Sequence, residues 1–343
     1  STSGFKGMIK IKPIAITMGE PAGIGGEITL KTWLRRKEHG TPFIALDNLE
    51  RLHKISKTLL VNLPLIKVDD PEMAIDIFED ALPVYQIDLP NPSNLGELDQ
   101  ANSRSAIESI KTAFSFANKG IVSAIVTNPI NKKIVYDGGF NYPGHTEYLA
   151  ALSKIHSEPV MMLAYNTFRT VPITTHCSLR EALKNLTKER ILSQTRITAI
   201  ALKQDFGIAN PRLAVAGLNP HAGENGAMGN EEQRIIAPAI KVLKDQGLDV
   251  FGPLSPDTMF SKDKRSTYDA AICMYHDQAL IPIKTLNFSK AVNITLGLPV
   301  IRTSPDHGTA LDIAAKGSAD ESSLIAALGL AANIARERNS NIK

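Results

Sequence analysis

Short apolar runs alternate with longer stretches of helical periodicity along most of this chain, and that alternation limits its fold more than any other feature. Ile14-Ala-Ile-Thr17 opens into Gly19-Glu-Pro-Ala-Gly-Ile-Gly-Gly26 and then an amphipathic stretch through Trp33. Between Asn102 and Gly120, Ala106, Ile107, Ile110, Ala113, Phe114 and Ala117 recur at helical spacing, with Gly120 as the stop. Ser178-Leu-Arg-Glu181 is a capping box that starts another helix, and Glu231 to Gln246 and Ser322 to Arg338 read as two more. Strands separated by helix-length segments predict βαβ units and a largely parallel sheet. Asp69 to Asp99, rich in proline and acidic residues, reads as an irregular excursion over the surface. The turn Thr127-Asn-Pro-Ile-Asn131 is the expected domain cut. It gives a first α/β domain of residues 8–128 plus 295–343 and a second of 129–294.

Composition excludes several classes. A chain of 343 residues, 43% hydrophobic and 21% charged, has the length and balance of an ordinary globular protein of two domains. A net charge of +3 gives no general electrostatic case for nucleic acid or an anionic membrane as partner, and no apolar run reaches the length of a membrane span. Two cysteines, Cys177 and Cys273, rule out a disulfide framework and suit a reducing, cytoplasmic location. Ser1 to Gly7 reads as an appended remnant with Met8 the expected native start, and the charged-then-apolar pattern of a secretory signal is missing.

Three histidines sit just past the ends of separate apolar runs: Val171-Pro-Ile-Thr-Thr-His176, Leu213-Ala-Val-Ala-Gly-Leu-Asn-Pro-His221 and Ala270-Ala-Ile-Cys-Met-Tyr-His276. In an open α/β sheet ligands collect beyond the strand carboxyl ends. Three imidazoles delivered there are what an open divalent-metal site needs, although each alone is also compatible with simply closing a strand. Cys177 and Cys273 are not counted as ligands, because side chains alternate along strands and cysteine is a common core residue. Asp257, on the turn Pro253-Leu-Ser-Pro-Asp257, is a fourth ligand, an orienter of one, or a helix cap.

Other motifs point to anions. Gly19 to Gly26 follows a strand and precedes a helix, so its amides can face an anion, but it fits neither G-x-G-x-x-G nor a P-loop; a tight turn is the alternative. His145 and Thr146, at the turn Tyr142-Pro-Gly-His-Thr-Glu147, suit phosphate, or else cap a helix. Three glycines follow His221, at 223, 226 and 229, a density that marks a backbone approached closely. Lys284, Asn293 and Arg302 lie within or beside apolar runs, where a carboxylate or phosphate would satisfy the cations. In Ser304-Pro-Asp-His-Gly-Thr-Ala-Leu-Asp-Ile-Ala-Ala-Lys-Gly317, the His-Gly-x-Ala-x-Asp-Ile-Ala pattern resembles the adenosine-binding loop of isocitrate and isopropylmalate dehydrogenases, which bind nicotinamide cofactors without a Rossmann fingerprint. Asp306, His307, Gly308 and Asp312 are accordingly the candidate cofactor residues.

Gly19-Glu-Pro-Ala-Gly-Ile-Gly25, Gly144-His-Thr-Glu147, Gly217-Leu-Asn-Pro-His-Ala-Gly223, Met274-Tyr-His-Asp-Gln278 and Val292-Asn-Ile-Thr-Leu-Gly-Leu-Pro299, in this order, resemble the 4-hydroxythreonine-4-phosphate dehydrogenase family. The resemblance runs from about Ile14 to Asp320. It implies two α/β/α domains like those of isocitrate and isopropylmalate dehydrogenases, with the active site in the interdomain cleft, and a homodimer whose sites are shared. The first domain would lie on the cofactor side, and the second would carry the metal site and dimer interface. His176, His221 and His276 would bind one divalent metal; zinc, cobalt or nickel suits three imidazoles, and magnesium would serve catalysis. His145, Thr146, Lys284, Asn293 and Arg302 would bind substrate, with Lys284 and Asp257 as the candidate catalytic groups. The reaction implied is NAD- or NADP-dependent oxidation of a hydroxyl β to a carboxylate, after which the β-keto acid loses carbon dioxide. Asn128-Pro-Ile-Asn131 departs from the Gly-Pro turn of many relatives. Related dehydrogenases of phosphorylated sugar acids or aromatic dihydrodiols are one alternative. A metal hydrolase and a non-catalytic metal or phosphate binder are the others.

Overall fold

A computed structural model describes residues 9–342; Ser1 to Met8, and with them the expected native start, lie outside the described residues. The chain divides into two compact units, one running up to His156 and resuming at Leu298, the other spanning Ser157–Gly297.

In the first unit the strands are β1 (Ile14–Thr17), β2 (Phe43–Asp47), β3 (Leu65–Lys67), β4 (Leu82–Gln86), β5 (Ile125–Val126) and β12 (Arg302–Pro305). They lie in the order β3-β4-β2-β1-β5-β12, every pair parallel. β1 and β2 are buried at every position, as expected of parallel strands covered on both faces. The helix Gln100–Asn118 forms where periodicity placed it: the Asp99 side chain accepts from Ala101 N–H at its start, and Gly120, at φ 71°, takes the left-handed step past its end. Its Ala106, Ile110, Ala113 and Phe114 pack against Ile44, Leu46 and Ile125. Each large side chain so buried contributes about 1.5–3 kcal/mol.

Tyr148 and Leu149, from the helix His145–Ser153, belong to that same core. This packing keeps the chain in the first unit beyond the 127–131 turn, out to His156. The segment Asp69–Asp99 is not the irregular excursion its composition suggested, because it contains β4, which lies between β3 and β2 with Leu82 and Val84 fully buried. Pro83 within the strand and acidic residues on both sides hid its apolar run.

The second unit holds β6 (Val160–Tyr165), β7 (Phe168–Pro172), β8 (Arg212–Ala216), β9 (Asp249–Leu254), β10 (Ala270–Cys273) and β11 (Val292–Leu296), in the order β11-β6-β7-β10-β8-β9. This sheet is mixed. β6 is antiparallel to both neighbours, joined to β7 by a hairpin whose Asn166 has φ 51°. β7, β10, β8 and β9 are parallel, so their carboxyl ends share one edge. The capping box at Ser178 and Glu181 is present and starts the helix Leu179–Asn185. The helix expected over 231–246 forms as a π-helical turn, Glu232–Ile236, leading into Ala237–Asp245. No helix among the described residues is long and apolar enough to cross a membrane.

Candidate active site

The strand order of the second unit brings the three histidine-bearing segments side by side. Pro172 of β7 lies opposite Cys273 of β10, and Ile272 of β10 opposite Val215 of β8, so His176, His276 and His221 follow the ends of three adjacent parallel strands. The rings of His176 and His276 stand 5.5 Å apart between centroids. Two imidazoles on one tetrahedral ion, with metal–nitrogen bonds of about 2.0–2.1 Å, would stand about 5–6 Å apart. His276 Nδ1 is 2.8 Å from Asp277 Oδ1; with the proton on Nδ1, that contact leaves Nε2 as the free donor. In chemistry and spacing this pair fits a divalent cation.

His221 is exposed and is carried on a left-handed turn, with φ 53° at His221, 52° at Ala222, 81° at Gly223, 44° at Glu224, 56° at Asn225 and 95° at Gly226. Buried Glu232 anchors the turn, its Oε1 accepting from the backbone N–H groups of Leu218 at 2.9 Å and Asn219 at 2.7 Å. Among the described residues no three of His, Cys, Asp and Glu gather as a metal-holding group, so His221 does not join the pair within one chain. Asp257 lies on an exposed turn where its carboxylate accepts from Ser255 Oγ. Lys284 sits half-buried in the last turn of the helix His276–Leu286, its Nζ 5.4 Å from the centre of the Phe288 ring. Asn293 is half-buried in β11.

The first unit carries the other anion candidates. His145 is the first residue of its helix, and no side chain caps that helix N-terminus. The end is therefore open to an anion, and the capping alternative for His145 and Thr146 does not apply. His145 Nε2 is closed off from solvent without a hydrogen-bond partner. Burial, then Arg302 and Lys132, hold the imidazole well below its usual pKa, in the neutral form. Arg302 is buried in β12 and donates to Thr127 Oγ1 from Nε at 3.1 Å and from an Nη at 2.8 Å. Burial pulls its pKa down to about 10, which still leaves it charged near neutral pH. A buried cation, a second cation and a neutral imidazole beside an open helix end have the chemistry to accept a compact dianion, with the Glu147 carboxylate in the first turn of that helix acting on Arg302 in the opposite sense. Sequence reasoning missed Lys132 and Thr127. Thr127 had a signal, since it follows β5 at a sheet edge that ligands favour.

The loop after β12 brings half-buried Asp306 and His307 beside exposed Gly308, with Asp312 exposed further on. His307 Nε2 is shut from solvent and unpartnered, while Nδ1 lies 3.0 Å from the Gly308 carbonyl. The Thr309 carbonyl accepts from Ile24 N–H at 3.1 Å, stitching this loop to the glycine-rich turn. That turn is itself buried throughout, and neighbouring protein atoms account for its glycines. A Cβ on Gly19 would fall 2.7 Å from Asn128 Cβ, one on Gly23 2.9 Å from the Thr309 carbonyl, and one on Gly26 2.5 Å from Ile55. Such packing favours the tight-turn alternative over an open phosphate cradle.

Known proteins similar to this chain match it along nearly its whole length. The chain is 50% identical over 336 residues to a 4-hydroxythreonine-4-phosphate dehydrogenase of Bradyrhizobium diazoefficiens, covering 94% of this chain and 97% of the relative. A crystal structure of 4-hydroxythreonine-4-phosphate dehydrogenase from Klebsiella pneumoniae superposes with a TM-score of 0.85 at 39% identity, over 94% of this chain and 99% of that one. A terephthalate 1,2-cis-dihydrodiol dehydrogenase from Burkholderia xenovorans is more distant, with a TM-score of 0.65 and 26% identity over 94% of this chain and 98% of its own. The profile of the pyridoxal phosphate biosynthetic protein PdxA matches residues 38–331. With the match covering most of the sequence, the chain belongs to the PdxA family.

Proposed function

We propose that this chain oxidises and decarboxylates 4-phosphooxy-L-threonine to 3-amino-2-oxopropyl phosphate, a step toward pyridoxal 5'-phosphate, in the cytoplasm and as a homodimer with shared sites. The observation that carries the substrate class is the buried Arg302 set with His145 and Lys132 in the first unit, which suits a phosphate better than a neutral group. His145, Thr146 and Arg302 bind the phosphate. Lys284 and Asn293 bind the rest of the substrate. His176, His221 and His276 hold one divalent cation (zinc, cobalt or magnesium), and Asp306, His307, Gly308 and Asp312 hold NAD or NADP.

A cation and a nicotinamide bound there would supply polarisation of the reacting hydroxyl and acceptance of hydride. The chain's own residues orient and neutralise. Neutral His145 donates or accepts one hydrogen bond, and a bound dianion raises its pKa from that depressed position. Lys284 helps move protons or holds charge near the reacting centre. Asp257 orients a neighbouring group.

A panel of 4-phosphooxy-L-threonine, 4-phosphoerythronate, phosphothreonate and an aromatic dihydrodiol, assayed with each nucleotide by the absorbance of reduced nicotinamide, tests this reading. The largest kcat/KM belongs to 4-phosphooxy-L-threonine, and a chelator abolishes it. A larger value on any other compound overturns the substrate, and hydrolysis without nucleotide reduction overturns the reaction. In the same assay Lys284→Met lowers kcat; an effect on KM alone would restrict Lys284 to binding.

A further inference from the structure

The segment Met274-Tyr-His-Asp-Gln278 contributes His276 to the proposed cation site and leaves Gln278 without a task. Gln278 is buried, 8% exposed, in the first turn of the helix His276–Leu286. Both ends of its carboxamide are engaged. Oε1 accepts from the Met274 backbone N–H at 2.7 Å, and Nε2 donates to the Gly217 carbonyl at 2.9 Å. A backbone donor on one side and a backbone acceptor on the other fix which end is which, and a flipped amide loses both bonds.

Those two backbone groups belong to different strand ends. Met274 follows β10 and leads to His276, whereas Gly217 follows β8 and leads to His221. A bond that served only the helix start would stop at Met274; the second bond crosses to another strand. The network extends in both directions. Thr174, fully buried on the way to His176, donates from Oγ1 to the Met274 carbonyl at 2.7 Å. Beyond Gly217, Glu232 takes the N–H groups of Leu218 and Asn219 and so holds the root of the left-handed turn. The contact is tight as well: a Cβ on Gly217 would fall 2.8 Å from Ala222 Cα, so the strand end and the turn lie directly against each other.

We infer that Gln278 is a positioning residue, whose carboxamide ties the strand end bearing His276 to the one bearing His221 and so fixes the direction in which each segment presents its imidazole, whether to a cation of its own chain or to one shared with a second copy. This rests on the reading of His176, His221 and His276 as cation ligands. Groups hydrogen-bonded directly to a ligand typically change metal affinity about 10–100-fold; Gln278 acts on the backbone that carries the ligands, so the lower end of that range is expected. Gln278→Met removes both bonds at similar volume. Gln278→Glu keeps an acceptor for Met274 N–H and gives up the amide donor toward Gly217, which isolates the half that reaches His221.

The test titrates the intact protein with Co²⁺ alone, reading affinity and the visible ligand-field spectrum, with thermal stability measured in parallel. Wild type and His276→Ala examine the underlying reading; the two Gln278 variants examine the brace. The expected result is loss of Co²⁺ binding in His276→Ala. Both Gln278 variants should bind about tenfold more weakly with an altered spectrum at a temperature where each is folded, and Gln278→Glu, which sets a buried carboxylate against the Gly217 carbonyl, should also melt below wild type. Wild-type affinity and an unchanged spectrum in a folded Gln278 variant overturn the brace and leave the ligand assignment standing. Undiminished Co²⁺ binding by His276→Ala overturns the ligand assignment, and the inference with it. Should Gln278→Met fail to fold, Gln278→Glu decides alone while folded: wild-type binding overturns the brace, and weakened binding supports it.

Discussion

The turn after β1 and the turn after β8 are both rich in glycine, and both leave the carboxyl end of a parallel strand, yet their glycines answer different needs. In Gly19–Gly26 every residue is buried, and Gly19, Gly23, Gly25 and Gly26 have no space for a Cβ. Only Gly19 among them also needs a left-handed φ, at 68°. In the turn from His221 to Gly226 the demand is mainly on the backbone, and non-glycine residues meet it too, with positive φ at His221, Ala222, Glu224 and Asn225; Gly223 alone in it is also packed tight, a Cβ there falling 2.6 Å from Glu232 Oε2. A left-handed residue with a side chain costs about 1–2 kcal/mol. The bonds to buried Glu232, each about 1.5–3 kcal/mol for a charged acceptor, offset that cost. The first turn is a packed joint and the second is a strained mount. Glycine density alone does not distinguish them.

The sharpest way to break this comparison is Gly19→Ala. The new Cβ would meet Asn128 Cβ and the Pro129 carbonyl at 2.7 Å, and the residue would have to hold φ 68°. Overpacking of about 1–3 kcal/mol and a left-handed cost of about 1–2 kcal/mol add to roughly 2–5 kcal/mol of lost stability in urea denaturation. Gly226→Ala in the mount meets only the end of the Gln233 side chain, at 3.2 Å, which can move. Its loss is about 1 kcal/mol, from backbone conformation alone. Equal losses in the two variants would erase the distinction.

A second effect, smaller and dependent on pH, comes from Glu20 inside the joint. Its Oε1 accepts from Ala22 N–H at 3.0 Å while Oε2 is buried without a partner. Burial raises its pKa above the usual value, against opposing contributions from Ala22 N–H and Arg51. A folded pKa above the unfolded one gives a contribution fully present below the unfolded value of 4.5 and lost as pH rises through the folded value. Glu20→Gln removes that dependence. Its melting temperature relative to wild type should therefore climb from pH 4 to pH 8. A gap that stays level with pH would mean that the carboxyl is not desolvated in the joint.

What the sequence disclosed and what it hid follow the range of the interactions involved. Period and turn chemistry are local, so β1, the helix Gln100–Asn118 and the capping box at Ser178 were legible. The adjacency of His176, His276 and His221 needed strand order, and apolar runs ending in histidine supplied only the ends. β4 was lost because Pro83 and its acidic flanks outweighed Leu82 and Val84. Whether Gly19–Gly26 binds or packs was undecidable locally, since Asn128, Thr309 and Ile55 fill the space from distant positions. Glu232 and Gln278 read as ordinary helix residues because their partners are backbone groups of other segments.

The smallest effect reaches the strain itself. Glu224 is exposed, holds φ 44°, and its side chain is not among the groups that anchor the turn. Glycine adopts that conformation without the Cβ penalty of about 1–2 kcal/mol, while its extra freedom in the unfolded chain costs about 0.5–1 kcal/mol. Glu224→Gly should therefore leave the melting temperature unchanged or raise it slightly, equivalent to about 0.5 kcal/mol, where the same change in an ordinary right-handed turn would lower it. A clear loss of stability would show that the left-handed path is not strained and that the side chain carries a contact of its own. With stability held, Co²⁺ affinity should also hold, because Glu232 and Gln278, not Glu224, fix the root of the turn.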